Sequence, residues 1–208
     1  MVKKLEMQQP VSANNPCPFL RALVASGKLA DAREPLAKVA AVVTAAASAG
    51  DGQPVLPRAA VYAIASVGNG LGPRALLETQ LRGLQLNALR GGPLDKKGVG
   101  SGILDAHGGI DASELARLAE FATEHLPHDG AAELGLDLAA LTTYMDANFE
   151  RAAGRSRYID RTLMVGEWPV LLKVMGREGR AGRYLSLQEV TDLFVRRRFP
   201  ARMTQRMP

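Results

Sequence analysis

The sequence predicts an all-α fold, a single-domain helical bundle, from three observations. Apolar residues recur at helical spacing in one segment after another, Gly or Pro stands between those segments, and no alternating strand pattern persists. With 208 residues, 47% of them hydrophobic, the chain can bury one sizeable core without a disulfide, metal or partner to help it fold. Residues 1–14 read as a polar arm and 15–208 as one helical domain.

The first helix follows Asn15-Pro16-Cys17-Pro18-Phe19. Pro16 disfavours helical geometry at the residue before it, while Pro18 suits the first turn, where a missing N–H is no loss. Cys17 therefore falls near the N-cap. Phe19, Leu20, Leu23 and Val24 share one face, and Gly27 closes the element. Pro35 opens a helix carrying Leu36, Val39, Ala40, Val43 and Ala47, and Pro57 opens one with Ala60, Val61 and Ile64 on a face. Leu77, Leu81 and Leu84 repeat the spacing and read as core. Residues 90–110 are Gly-rich and form a long loop of the kind that often carries function. Asp111 with Glu114 starts a helix running to about His125, and another begins near Asp137 with Leu138, Leu141, Met145 and Phe149. A further helix covers Ile159 to Met175, where Pro169 is expected to kink or split it. Ser186 with Glu189 caps the last helix, ended by Pro200; Glu178 and Glu189 read as solvated loop and cap residues.

Composition narrows the function. The single cysteine excludes an internal disulfide, the first ten residues lack the apolar run of a signal peptide, and no stretch reaches bilayer-spanning length, which together predict a soluble cytoplasmic protein with no membrane partner. The net charge of +5 owes much to Arg196, Arg197, Arg198, Arg202 and Arg206, but no aromatics interleave with them as a stacking platform, so they read as a solvated helix end and nucleic acid is not predicted. Glu124, His125, His128 and Asp129 read as a surface cluster because Pro127 interrupts any helix that would align them as metal ligands. A calcium loop over 103–114 would begin at Ile103, which offers no side-chain oxygen. Phosphate loops and nucleophile elbows are missing from the sequence.

Cys17 is the residue with chemistry to offer. Free N–H groups and the positive end of the helix dipole favour thiolate over thiol, which suits a soft metal ligand or a nucleophile; a lone cysteine packed as a small hydrophobe is the alternative.

Three blocks resemble the heme-thiolate peroxidases, the family of chloroperoxidase and the unspecific peroxygenases, over nearly the whole chain. Asn15-Pro16-Cys17-Pro18-Phe19-Leu20-Arg21-Ala22-Leu23 is similar to that family's Pro-Cys-Pro segment. The resemblance implies a helical domain enclosing a heme b pocket, with Cys17 as axial iron ligand between Pro16 and Pro18, a thiolate that pushes electron density toward the iron and favours O–O cleavage. His107-Gly108-Gly109-Ile110-Asp111-Ala112-Ser113 resembles the stretch near a heme propionate, implying cofactor-side roles for Asp111 and Ser113. The family glutamate that helps hold magnesium there is replaced by Gly109, and the next family residue by Ile110, so magnesium is not carried over with the rest. A second alignment sets this motif at Pro127-His128-Asp129-Gly130. Val165-Gly166-Glu167-Trp168-Pro169-Val170, followed by 184–187 and the Asp192–Pro200 stretch, resembles the closing region, implying that Glu167 is the distal acid–base group and Arg161 its helper. A glutamate in an apolar run suits that work. On this resemblance the chain is an enzyme that uses hydrogen peroxide to oxidise or oxygenate a small organic substrate. The alternatives are a heme-binding sensor or carrier without turnover, and a cofactor-free helical interaction protein.

Overall fold

The computed structural model describes residues 8–51, 56–95, 100–152 and 158–207, except the side chains of 158, 159 and 161–165. Residues 1–7 of the arm and 96–99 of the Gly-rich segment lie outside that set. In chain order the helices are α1 (Pro18–Ala25), α2 (Leu36–Ser48), α3 (Arg58–Ser66), α4 (Pro73–Arg82), α5 (Ala112–Ala119), α6 (Leu138–Arg151), α7 (Tyr158–Met175), α8 (Leu187–Val195) and α9 (Ala201–Thr204), with a 3-10 turn at Leu86–Ala88.

The all-α expectation is overturned by four strands, β1 (Thr123–His125), β2 (Glu133–Asp137), β3 (Arg177–Gly179) and β4 (Gly182–Ser186), forming one antiparallel sheet in the order β1-β2-β4-β3. The fold is mixed α and β. The helix expected to reach His125 stops at Ala119, because Thr123–His125 pairs with Glu133–Gly135 instead. Strands of three and five residues are too short for alternation to show in the sequence. At the centre of the sheet Leu136 pairs with Leu185, both buried, and each central strand runs directly into a helix, β2 into α6 and β4 into α8. Asp137 makes the first junction by accepting the Ala140 N–H at 2.8 Å.

Two apolar clusters share α1. One holds Tyr144, Trp168, Leu172, Leu185 and Phe194 from α6, α7, β4 and α8; the other holds Leu23, Leu36, Val39, Ala40, Val61 and Leu84. Ala22 belongs to the first and Leu23 and Val24 to the second, while Phe19 and Phe199 pack against both and meet edge to face at 4.9 Å. Trp168 is edge-on to Tyr144 at 5.5 Å and stacked on Phe194 at 6.2 Å. Burial of each such side chain contributes roughly 2–3 kcal/mol. Gly83, at φ +93°, lets the chain approach Glu34, whose carbonyl a Cβ would meet at 2.2 Å, and so allows the Glu34–Leu84 bridge.

Further corrections concern α3, α4 and α7. Leu77, Leu81 and Ile64, expected in the core, are 59%, 75% and 56% exposed, because α4 turns Thr79 inward and α3 turns Val61 and Ala65. The helix containing Pro169 is not split but runs from Tyr158 to Met175. Among the described residues no helix is long and apolar enough to cross a membrane.

Candidate functional site

Cys17 is the N-cap of α1, with extended backbone at φ −90°, and Pro18 stands in the first turn. Its N–H donates to Asn15 Oδ1 at 3.2 Å, and its carbonyl accepts the Arg21 N–H at 2.9 Å, so the cysteine is fixed from both sides. Cys17 is half-buried, whereas Asn15 is fully buried.

Arg21, 2% exposed, binds three regions together. Nη1 donates to the carbonyls of Ser12 at 3.0 Å and Asn15 at 3.1 Å, and Nη2 to that of Gly108 at 3.2 Å. The His107–Ser113 block thus lies against the Cys17 block. Gly108 is needed there, since its Cβ would sit 2.7 Å from Ala13 Cα at φ +74°. Within the loop Asp105 Oδ1 accepts the N–H groups of His107 and Gly109, both at 2.8 Å. A Cβ at Gly109 would meet Asp105 Oδ2 at 2.8 Å, so the loop is built around the absence of a side chain at this position. The end of the third block arrives through Phe199 on Phe19, and Arg197 lies close enough to act on Arg21 electrostatically. Burial, then Arg197 and Arg90, hold the Arg21 pKa below its usual value, opposed by Asp31.

The remaining predicted residues are placed differently. Asp111 caps α5, its Oδ1 accepting from Ser113 N at 2.9 Å, Ser113 Oγ at 2.5 Å and Glu114 N at 3.2 Å. These bonds, the Ser113 hydroxyl first, hold its carboxyl below the ordinary range. Asp111 and Ser113 are occupied with each other and with the cap. Glu167 is half-buried on α7, one residue before buried Trp168. Arg161 lies on the same helix with its side chain outside the described residues; six positions apart, the two are about 120° apart around the axis, so the helix does not stack them.

A second polar centre was misread in the sequence. Glu189 is no solvated cap: Arg202 Nη1 donates to its Oε1 at 3.1 Å, and Nη2 pairs with Oε2 at 3.0 Å. Arg202 Nε also donates to Asp51 at 2.8 Å. The Ser186 hydroxyl, expected to cap α8, donates instead to Glu133 Oε2 at 2.7 Å, and Tyr184 donates to Glu133 Oε1 at 2.7 Å. Burial pushes the Glu189 carboxyl up to about 7, with Arg202 and Arg177 opposing and Glu133 and Asp51 adding. A cleft of about 580 Å³ opens beside it, lined also by Asp192, Arg198, Phe199 and Thr204. His125, assigned to a surface cluster, is buried and stacked on Tyr184 at 4.5 Å. No group of three or more potential metal-ligating side chains occurs among the described residues.

Of what a thiolate-held heme would need, the structure offers a cysteine at a helix N-terminus and arginines in the turn before it, whose hydrogen bonds go to backbone carbonyls. The match is one of ligand and charge, not of preformed space. Cys17 and Glu167 line neither the 580 Å³ cleft nor a second cavity of about 340 Å³ beside α2, bordered by Lys28, Val42 and Met207.

Fold and site together define a mixed α/β chain whose one cysteine opens a helix at the meeting point of three sequence blocks. Compared with family models, curated proteins and solved structures, the chain matches none.

Proposed function

We propose that the chain is a heme-thiolate oxidoreductase of the peroxidase or peroxygenase type, using hydrogen peroxide on a small organic substrate. The observation that carries this reading is the convergence on Cys17: Arg21 ties the Gly108 loop to the cysteine's turn, and Phe199 ties the closing segment to Phe19.

Cys17 would hold the iron through its sulfur. When bound, heme supplies oxidation of substrate at the expense of peroxide, and a thiolate ligand favours O–O cleavage. The chain's own part begins with Asn15, whose Oδ1 takes the Cys17 N–H and holds the N-cap in extended geometry. The sulfur stands at the positive end of the α1 dipole, a place that suits a soft ligand to iron. Glu167 is the proposed proton carrier, accepting a proton from peroxide and returning it to the departing oxygen. A positioned group of this kind contributes about a hundredfold to ten-thousandfold in rate.

Titration of the purified protein with hemin tests the ligand. One equivalent should bind, and Cys17→Ser should weaken binding at least tenfold while leaving the far-ultraviolet circular dichroism unchanged. Equal hemin affinity and an identical absorbance spectrum in the variant would refute Cys17 as ligand.

A further inference from the structure

Among the described residues, the turn before α1 gathers more cations than anions. Arg21 is buried, and Arg90 and Arg197 are half-buried beside it, each acting to depress its charge. The bonds of Arg21 and Arg90 go to carbonyl oxygens: Ser12, Asn15 and Gly108 for Arg21, Ala13 at 3.2 Å and Asp105 at 2.8 Å for Arg90. Asp31 is the carboxylate that acts back on Arg21, and it already accepts the Ser12 N–H at 3.1 Å. The Asp105 carboxylate serves its own loop. Among the described residues, Arg21 thus feels two further guanidinium groups and one carboxylate, an excess of positive charge in a setting where buried charge is normally paired.

Two further features point to a ligand. Arg21 Nε and Asn15 Nδ2 are buried donors with no hydrogen-bond partner among the described residues, and both side chains converge on this turn, where Arg21 Nη1 meets the Asn15 carbonyl and Asn15 Oδ1 meets the Cys17 N–H. An unmet buried donor costs free energy that an acceptor would recover. Arg197 is also the one non-glycine residue with positive φ, at +52°, among the described residues. That left-handed residue follows the C-cap of α8, where the Arg198 N–H returns to the Asp192 carbonyl at 3.2 Å, and it leaves Arg197 half-buried while Arg196 and Arg198 stay exposed.

We propose that the seat formed by the 12–15 turn, the start of α1, the Gly108 loop and Arg197 binds a doubly charged oxyanion, a phosphate group or a pair of carboxylates. Guanidinium forks match the planar or tetrahedral oxygens of such groups and the charge excess matches their charge. The two carboxylates of a porphyrin and a free dianion share this chemistry. The inference goes beyond iron binding at Cys17 and stands without it.

Thermal unfolding of the heme-free protein in inorganic phosphate and in succinate, against sodium chloride at equal ionic strength, is the test. Both dianions should raise the midpoint by several degrees at saturating concentration. Arg197→Gly removes the cation and relieves the left-handed strain, so it should match or exceed the parent's stability in chloride yet bind phosphate at least tenfold more weakly. Arg90→Gln should weaken phosphate similarly. Hemin that displaces phosphate, where hemin dimethyl ester does not, would assign the seat to porphyrin carboxylates; phosphate binding undisturbed by hemin would assign it to a free dianion. Phosphate binding with no hemin binding would refute the heme reading and leave the oxyanion seat intact. No midpoint shift beyond that of chloride, or a full shift retained in Arg197→Gly, would overturn the proposal.

Discussion

Arg202 Nη2 lies 3.0 Å from Glu189 Oε2, and burial pushes both partners toward their neutral forms, the carboxyl up to about 7 and the guanidinium below its ordinary value. The pair joins α9 to α8 at the rim of the 580 Å³ cleft, and its desolvation outweighs its mutual attraction.

A pH dependence follows from Glu189. Its folded pKa is raised above the ordinary carboxyl value of 4.5 to about 7, so the native state holds the proton more tightly than the unfolded chain. Its contribution to stability is full below about pH 4.5, falls between there and about pH 7, and is lost above. With the side chain one-fifth exposed, the loss is on the order of 2 kcal/mol. Urea unfolding at pH 5 and pH 8 should show Glu189→Gln losing less stability than the parent over that interval. Parallel curves would show that Glu189 titrates normally.

Glu167→Gln keeps volume and hydrogen-bonding reach but cannot carry a proton. In hemin-loaded protein its reaction with peroxide should slow by about a hundredfold or more, with hemin affinity and resting spectrum little changed. Glu178→Gln is the control, because Glu178 is exposed on β3 and paired with Arg183. Stopped-flow mixing with peroxide reads the outcome, and a parental rate for Glu167→Gln would remove Glu167 from the chemistry.

Divalent ions should be dispensable. Gly109 has no side chain, and the carboxylates flanking it are committed, Asp105 to two loop N–H groups and Asp111 to the α5 cap. A strong chelator should leave the helical signal and hemin binding unchanged, as followed by circular dichroism and absorbance. Release of hemin on chelation would show that the Gly108 loop holds a metal after all.

The local signals were legible in the sequence. Pro18 after Cys17, Asp111 before Ser113 and Asp137 before Ala140 each satisfy N–H groups or dihedrals within one turn, so residue type alone placed those helix starts. The sheet was not legible, since its strands are short and Thr123–His125 becomes a strand by pairing with Glu133–Gly135. Ser186 and Glu189 have the spacing of a capping box, yet the hydroxyl goes to Glu133, 53 residues away, and the carboxylate to Arg202. The arginine-rich tail shows the same limit. Arg196, Arg197, Arg198 and Arg202 look alike in sequence, and only contacts with Asp51, Glu189 and the surroundings of Arg21 draw Arg202 and Arg197 inward.

Absorbance of the reduced, hemin-loaded protein under carbon monoxide tests the thiolate at Cys17 most directly, because sulfur ligation shifts the main heme band to the red of its position with a neutral ligand. The parent should give the red-shifted band and Cys17→Ser should give the unshifted one. A parent spectrum without the red-shifted band, or a Cys17→Ser protein that keeps it, would contradict a heme-thiolate centre at Cys17.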